Sequence, residues 1–360
     1  HDAVEAGRPF AQLQAAGMVA VKLEEIVRQK DPELKRVVEQ LARGQVHDAI
    51  DNLDRQGRVH EIPNRDDRIA AIAREYAESP ERTLVVSPDN RSRMESNEQI
   101  HAELQRCGIV NKTEHHVTTL VPRQDMTGAD RTWTERYEVG DVLRYSRTSK
   151  ETGIGRGEYA QVKSVDTTAN RLTVELQDGT ERTYDPRRQQ GVTVYREEMR
   201  ALSAGDRVQF TAPANDLKVA NRELGTIESI GGDGRFHLKM DDGRPVQLVA
   251  NRHLHLDYGY AVTSHSSQGQ TSDRVLIHVD TELGAKNLLN RRMAYVAISR
   301  GAHDAQIFTN DAATLAQALS RDVSHSPAIQ QPHVSRAIEQ AVVQRPAHEH
   351  EIGHGFRLGI

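Results

Sequence analysis

Two stretches of this chain carry side chains of the kind that hold phosphate. The first lies within residues 260–275, where Thr263-Ser264-His265-Ser266-Ser267-Gln268-Gly269-Gln270 follows the apolar Tyr260-Ala261-Val262. Hydroxyls and an imidazole on a loop that follows a strand can take phosphate oxygens. Gly269 lets the backbone approach a ligand that a side chain would block. The second stretch, residues 294–302, is a helical run that ends in Ser299-Arg300-Gly301. Arg300 at that end can reach an anion. The plainer readings are a polar turn and a helix-end charge that suits the helix dipole. Arg28 sits in an earlier helical pattern, and Pro88, Asn90 and Arg91 follow the apolar run Thr83-Leu84-Val85-Val86. Each of these reads either as an anion contact or as an ordinary helix charge, loop or cap. A third pattern, His350-Glu351-Ile352-Gly353-His354, has the spacing of zinc peptidases, which place both histidines on one face of a buried helix beside a third ligand. Gly353 and Gly355 weaken such a helix and no histidine follows His354, so adventitious metal binding is the stronger expectation there.

Those residues need elements to position them. Phe10, Leu13 and Met18, then Leu23, Ile26 and Val27, then Leu34, Val37, Val38 and Leu41 recur at helical spacing. Asp31-Pro32-Glu33 reads as a helix start, with Asp31 as cap and Pro32 in the first position. A short helix follows from Val46 to Leu53, and another spans Arg65 to Glu78 with Ile69, Ile72, Ala73 and Tyr76 on one face. Thr83 to Val86 is continuously apolar, as a strand covered on both faces must be. A helix through Ile100 and Leu104 comes next, which is the grammar of a parallel α/β domain. Around Tyr137 the pattern changes to short alternating runs broken by Gly, Asn-Arg and Asp-Gly turns. Two stretches there look alike, one opening on Gly140-Asp141 and the other on Gly205-Asp206. The expectation is an all-β region of two tandem SH3-like barrels inserted into the α/β domain. Past Tyr258 the α/β grammar resumes: a buried strand at residues 275–279, a helix from Leu288 to Ile298 and a strand at residues 304–309. Ser, Pro, His and Gln gather beyond Ser320, as in a flexible tail.

Composition narrows the classes. Aromatics are only 4% of the chain, so cores must rest on aliphatic side chains. No run approaches the roughly 18 apolar residues that span a bilayer, and one cysteine, Cys107, excludes an internal disulfide framework and suits a reducing cytoplasm. A net charge of -5 speaks against bulk coating of nucleic acid but leaves a local basic groove open. Arg144, Arg147, Lys150, Arg156, Arg187, Arg188, Lys218 and Arg222 on the β region are candidates for such an edge, or for a solvated face.

Taken together and in this order, residues 260–275 and 294–302 resemble motifs V and VI of superfamily 1 DNA helicases. The wording is closest to the RecD-like branch (superfamily 1B) and, within it, to the helicase part of conjugative relaxases of the TraI, TrwC and TraA kind. Val27-Arg28-Gln29 resembles motif IV, and Ala6-Gly7-Arg8-Pro9-Phe10 resembles the stretch after motif III. Residues 85–91, with Asn97 on the next helix, resemble the strand and DNA-contacting loop of the second RecA-like domain. The resemblance implies arginine fingers at Arg28 and Arg300, with Gln268 and Gly269 beside the nucleotide. It implies DNA contacts at Thr263, Ser264, His265, Ser266, Pro88, Asn90 and Arg91. ATP and Mg²⁺ are its implied cofactors and single-stranded DNA its implied partner.

The chain departs from the family in having no Gly-x-x-x-x-Gly-Lys-Ser/Thr phosphate loop. The expected layout is a remnant of the first RecA-like domain at 1–25 and the second RecA-like domain at 26–136 and 251–318. The inserted barrels occupy 137–250 and a tail occupies 319–360. Hydrolysis then needs an N-terminal relaxase and motor part that precedes His1, and type IV secretion coupling proteins are possible partners. The competing expectation is a non-catalytic module that grips single-stranded DNA or a secretion partner without turnover.

Overall fold

The computed structural model describes residues 28–123, 126, 128–250, 254–264, 266–267, 271–282 and 288–321, all within the compact unit Val21–Val323. His265, Gln268 and Gly269, the expected remnant at 1–25, the tail and the His350–His354 pattern lie outside the described residues.

Helix α1 (Pro32–Ala42) begins where the Asp31 carboxylate accepts the Leu34 amide at 2.7 Å, and it buries Leu34, Val37, Val38 and Leu41. Helix α2 (Val46–Arg55) and strand β1 (Val59–Glu61) follow. In α3 (Arg65–Glu78) the Asn64 side chain caps the Asp67 amide, and the face expected from the sequence is the buried one. Strand β2 (Thr83–Ser87) is buried throughout. It leads to α4 (Asn90–Arg106), capped by Asp89.

Eleven strands then depart from the α/β pattern: β3 (His115–Pro122), β4 (Val142–Tyr145), β5 (Tyr159–Asp166), β6 (Arg171–Leu176), β7 (Glu181–Tyr184), β8 (Val192–Leu202), β9 (Arg207–Phe210), β10 (Leu224–Ile230), β11 (Arg235–Met240), β12 (Pro245–Val249) and β13 (Leu256–Tyr258). The chain returns through β14 (Ala261–Thr263), β15 (Ser272–Val279), α5 (Arg291–Ile298), β16 (Gly301–Thr309) and α6 (Ala312–Leu319). Helix α5 starts later than Leu288, because Asn290 is extended and its side chain caps the Met293 amide at 2.9 Å.

The α/β elements build one parallel sheet, ordered β1-β16-β15-β2-β14. Alternate residues of each strand go to opposite faces. Leu84, Val86, Val262, Val275, Ile277 and Ile307 meet α1, α2, α5 and α6. Val85, Ala261, Leu276 and Phe308 meet Ile72, Tyr76, Ile100 and Leu104 of α3 and α4. Helices on both faces explain why these strands read as unbroken apolar runs.

The eleven strands form two antiparallel sheets, β3-β8-β4-β5-β6-β7 and β12-β11-β10-β9-β13. Leaving β3 aside, both have the same order: the fifth strand pairs with the first, and the rest form a meander. Both carry a bulge in the second strand, between Val162 and Ser164 and between Ile227 and Ser229. The likeness of the two sequences has a physical cause. Gly140 and Gly205 hold φ at +96° and +97°, a region that favours glycine. Each donates its amide to the second strand, to Val162 O at 2.9 Å and Ile227 O at 2.7 Å. The following Asp141 and Asp206 accept from Val162 N and Ile227 N at 2.8 and 2.9 Å. Their carboxylates cap Glu138 N and Ser203 N.

The two sheets are anchored differently. The second shares the core of the α3–α4 face, whereas the first has its own core around Leu143, Tyr145, Val162, Leu172 and Val174. Strand β3 is the seam: it pairs along β8, and Leu120 donates to Leu254 O at 2.8 Å beside the second sheet. At this junction Asp257 is buried and meets Arg93 of α4 at 3.0 Å and Arg200 of β8 at 2.8 Å. Burial alone would push its carboxyl up, but the two arginines pull it down further, so it stays ionised. Beside it, His101 Nδ1 contacts Asp206 at 2.7 Å and its Nε2 faces Glu114 at 3.6 Å. Tyr260 donates to the same Asp206, and the Tyr258 ring lies against the imidazole. Burial opposes the imidazolium, yet Asp206 and then Glu114 outweigh it and raise the pKa of His101.

Removing the charge in Asp257→Asn leaves two buried guanidinium groups facing each other, and urea unfolding should show a loss of about 3–5 kcal/mol. His101 contributes stability that is complete below its unfolded pKa of about 6.5 and is lost as pH rises through the raised folded value. The stability advantage of the wild type over His101→Gln should therefore be larger at about pH 5.5 than at about pH 9.

Candidate functional site

Of the residues singled out in the sequence, Arg28, Arg300, Thr263, Ser264 and Ser266 lie around the end of α5 and the turn after β14. Gly301 opens an irregularity at the start of β16 that no side chain fits: a Cβ there would stand 2.2 Å from Asp304 O of the same strand and 3.2 Å from Val275 Cγ1 of β15. Ser299 caps α5, and the chain passes directly into β16 beside β15, with Ser272 N donating to Arg300 O at 3.1 Å. Arg300 is buried and lies back along its own helix. Its Nε donates to Val296 O at 2.9 Å, Nη2 to Ser299 Oγ at 3.3 Å and Nη1 to Ser267 O at 3.5 Å. The last contact ties the two motif-like stretches together.

Arg28 arrives from the other end of the chain and donates to Ser299 O at 3.1 Å. Gln29 is buried beside it, and its amide donates to Ser299 O at 3.0 Å and Gly301 O at 2.9 Å. Lys30 N extends the attachment to Ala302 O at 2.6 Å. Two arginines thus meet at Ser299, Arg28 on its carbonyl oxygen and Arg300 on its hydroxyl. Burial first, and then the charge of Arg28, lower the pKa of Arg300 from its ordinary value to about 10. It remains a cation at neutral pH, in a place where an anion would relieve the repulsion.

The turn after β14 is closed on itself. Ser267 N donates to Thr263 O at 2.9 Å and Ser267 Oγ to Ser264 O at 2.8 Å, while Thr263 Oγ1 pairs with Ser266 at 3.2–3.3 Å. Thr263 lies level with Ser87 at the carboxyl end of β2. The hydroxyls of Ser87, Ser96 and Ser264 are buried without a hydrogen-bond partner among the described residues. Carboxyl ends of parallel strands are where open α/β sheets take ligands. Pro88 is buried at that edge, Asn90 takes the first position of α4, and Arg91 is exposed and paired with Glu95 at 2.9 Å. Asn97, also quoted from the sequence, turns inward: its Oδ1 accepts Ala261 N at 2.7 Å and its Nδ2 donates to Ala261 O at 3.3 Å, which fixes β14 against α4.

Two further groups were not legible. Gln29 ties the segment that carries Arg28 to the end of α5, and only its place after Arg28 hinted at that. At the end of β15, the fully buried Arg68 donates to Asp280 at 2.6 Å, His278 Nε2 at 3.2 Å and Ile62 O at 2.7 Å. Burial, then the charge of Arg68, push His278 down to about 4, so it is neutral and accepts. This network stiffens the strand edge.

Gln29→Ala leaves two buried carbonyl oxygens without this donor. It should lower unfolding stability by about 1–3 kcal/mol, read by chemical denaturation.

The AAA domain family matches residues 1–64 and the UvrD-like helicase C-terminal domain family matches residues 258–307. Arg28 falls in the first match, and both motif-like stretches fall in the second. Among curated proteins the chain is similar to the multifunctional conjugation protein TraI of Escherichia coli strain K12, 25% identical over 382 positions, which covers 91% of this chain and 21% of the relative. It is also similar to the conjugal transfer protein TraA of Rhizobium radiobacter, 30% identical over 112 positions, covering 30% of this chain and 10% of the relative. The chain therefore spans about a fifth or less of the length of these relatives. Among solved structures, Pif1 helicases at forked double-stranded DNA match with 15% identity and a TM-score of 0.40, covering 83% of this chain and 51% of theirs. Bacteroides Pif1 bound to single-stranded DNA matches with 15% identity and a TM-score of 0.30, covering 83% and 53%.

Proposed function

We propose, from the premise that this chain is homologous to the helicase part of the TraI and TraA conjugative relaxases, that it is the C-terminal part of an ATP-dependent DNA helicase motor. The observation that carries this reading is the meeting of Arg28 and Arg300 at Ser299, one on its carbonyl oxygen and the other on its hydroxyl, against the turn that begins at Thr263. Two cations set beside one buried helix end suit a polyphosphate.

In this proposal the phosphate loop and the magnesium ligands belong to a preceding motor domain of a longer protein, and ATP sits between the two domains. Bound ATP supplies the phosphoryl group whose transfer to water drives movement. Arg300 and Arg28 are the arginine fingers: they stabilise charge that builds on the phosphoryl oxygens during transfer. Because hydrogen bonds to the helix end hold them beforehand, little reorganisation is needed when the domains close. Gln268 and Gly269 border the nucleotide. Thr263, Ser264, His265 and Ser266, with Pro88, Asn90 and Arg91, line the edge along which single-stranded DNA runs, held mainly by its phosphates. The unpartnered hydroxyls of Ser87 and Ser264 lie at that edge and support this assignment. The repeated strand order and the matching bulges support reading the two antiparallel sheets as SH3-like barrels that help to grip the strand. The other partners proposed are the relaxase domain of the same protein and the coupling proteins of type IV secretion.

Arg300→Ala, made in the full-length parent protein, should lower DNA-stimulated ATP turnover by about 10³-fold or more and leave single-stranded DNA affinity nearly unchanged. Turnover that survives the substitution would reject the finger assignment. Loss of DNA binding with turnover intact would assign Arg300 to the strand instead.

A further inference from the structure

The first antiparallel sheet carries an aromatic side chain that its own core does not use. Trp133 is the only tryptophan in the chain, and it is 51% exposed. It sits between two short 3-10 turns, residues 130–132 and 134–136, on a backbone held from both sides. The buried Asn170 does the holding. Its Nδ2 donates to Thr132 O at 3.2 Å and its Oδ1 accepts Thr134 N at 2.9 Å, so one amide brackets the tryptophan. Thr134 Oγ1 donates to Asp166 O at 3.1 Å and adds a third tie.

The same Asn170 also reaches Asp185, with Nδ2 to Oδ1 at 3.0 Å. Asp185 caps the 186–188 turn through Arg187 N at 3.0 Å and takes the Arg187 guanidinium on both of its oxygens, each 3.0 Å from Nε. Held this way, Arg187 Cζ stands 5.8 Å from the centroid of the Trp133 ring. Asn170 performs this at φ +50°, a conformation that most residues avoid and asparagine tolerates. An exposed indole and an exposed guanidinium are therefore positioned by one buried, left-handed asparagine. Preorganisation of this kind is unneeded for a solvated surface. It is what a flat ligand requires, because a rigid ring loses little freedom when something stacks on it.

We propose that Trp133 and Arg187 form a stacking platform for an unpaired base of single-stranded DNA, on the first inserted β unit and apart from the residues already assigned to the strand. The indole offers a π-face to any base, and Arg187 adds cation–π attraction. Arg188, whose side chain is 71% exposed and pairs only at the surface with Glu151, follows in the same turn. Arg136, 46% exposed, leaves the next turn after Trp133. Surface ion pairs of this sort are weak and exchange readily, so both can turn to backbone phosphates. A paired base hides its faces in the helix, hence the restriction to single strands. The assignment rests on the DNA reading of the chain given above.

Because Trp133 is the sole indole, its fluorescence reports on this one place. The chain is titrated with end-labelled oligothymidylate, following dye anisotropy for binding and indole emission for stacking. Emission should be quenched in step with binding, and an abasic oligomer of equal length should bind without the quench. Trp133→Ala and Arg187→Ala should weaken binding in the anisotropy assay, by about 5- to 100-fold for the tryptophan, the range of one lost base stack. Trp133→Phe should restore most of the affinity, and unchanged thermal unfolding confirms that the exposed ring is not needed for folding. Binding with unaltered emission and undiminished affinity in Trp133→Ala would overturn this proposal alone and leave the platform to a protein partner. No binding by anisotropy at all would overturn the DNA reading of the chain, and this proposal with it.

Discussion

Asp257 is a carboxylate removed from water and surrounded by parts of three different substructures. It belongs to β13 of the second antiparallel sheet, Arg93 comes from α4 of the parallel domain, and Arg200 comes from β8 of the first antiparallel sheet. Breaking such a buried pair costs far more than a surface ion pair, because the survivor stays charged in a poor solvent. The three bodies are thereby held in one arrangement even though the first inserted sheet keeps a core of its own and reaches the parallel domain's core only through Leu202 and Val117. Asn97 and His101 lie on the same helix as Arg93, and they reach Ala261 of β14 and Asp206 at the entrance to β9. Helix α4 is thus the element through which both insertions are fixed to the strand that leads into the 263–267 turn.

The candidate site takes the opposite physical form. Where the junction satisfies charge with charge, the end of α5 brings like charges together. Arg28 and Arg300 are held at Ser299 by neutral groups, its carbonyl oxygen for the first and its hydroxyl with Val296 O for the second. Burial, and then the charge of Arg28, lower the pKa of Arg300 without discharging it. A fold tolerates such a pair only where the surrounding packing over-determines it, and places of that kind tend to be functional. Here Gln29, which donates to the Ser299 and Gly301 carbonyls, ties the segment carrying Arg28 to the helix end and supplies part of that packing.

Much of this architecture can be read along the chain because it is made locally. Asp31, Asn64 and Asp89 cap the helices that their spacing suggests. The Gly140-Asp141 and Gly205-Asp206 pairs look alike because each closes the same turn with the same three hydrogen bonds. What the sequence hides is made at long range. Strand β3 lies before the visible change of pattern at Tyr137, and its place in the antiparallel sheet depends on β8, residues 195–202. The partners of Asp257 are 57 and 164 residues away, so nothing in its neighbourhood marks it as a junction. Asn97 looks outward-facing in a polar helix, yet it points at β14. Pro88, expected at a DNA-contacting loop, is buried at the strand end, whereas Arg91 is exposed as that role requires. Gln29 shows nothing of its function until Ser299 and Gly301 arrive from the far end of the chain.

The difference in anchoring between the two inserted sheets has a mechanical consequence. The second sheet continues the core beneath α3 and α4, so it must move with the parallel domain as one body. The first has a core of its own and meets the rest along β3 and β8, through Leu202 and Val117, which reach that shared core, a small cluster around Leu120, Val142, Tyr195 and Ala212, and the Arg200–Asp257 pair. Bending between two packed bodies is easiest where they share hydrogen bonds and a few side chains but no continuous core, since close-packed interiors resist deformation. The seam at β3 is stiffer than that, because Leu202 and Val117 reach the core beneath α3 and α4 and Asp257 ties all three bodies together. The packing around Leu143 and Val162 that underlies the first sheet nonetheless does not run through the turn at 263–267 or the arginine pair.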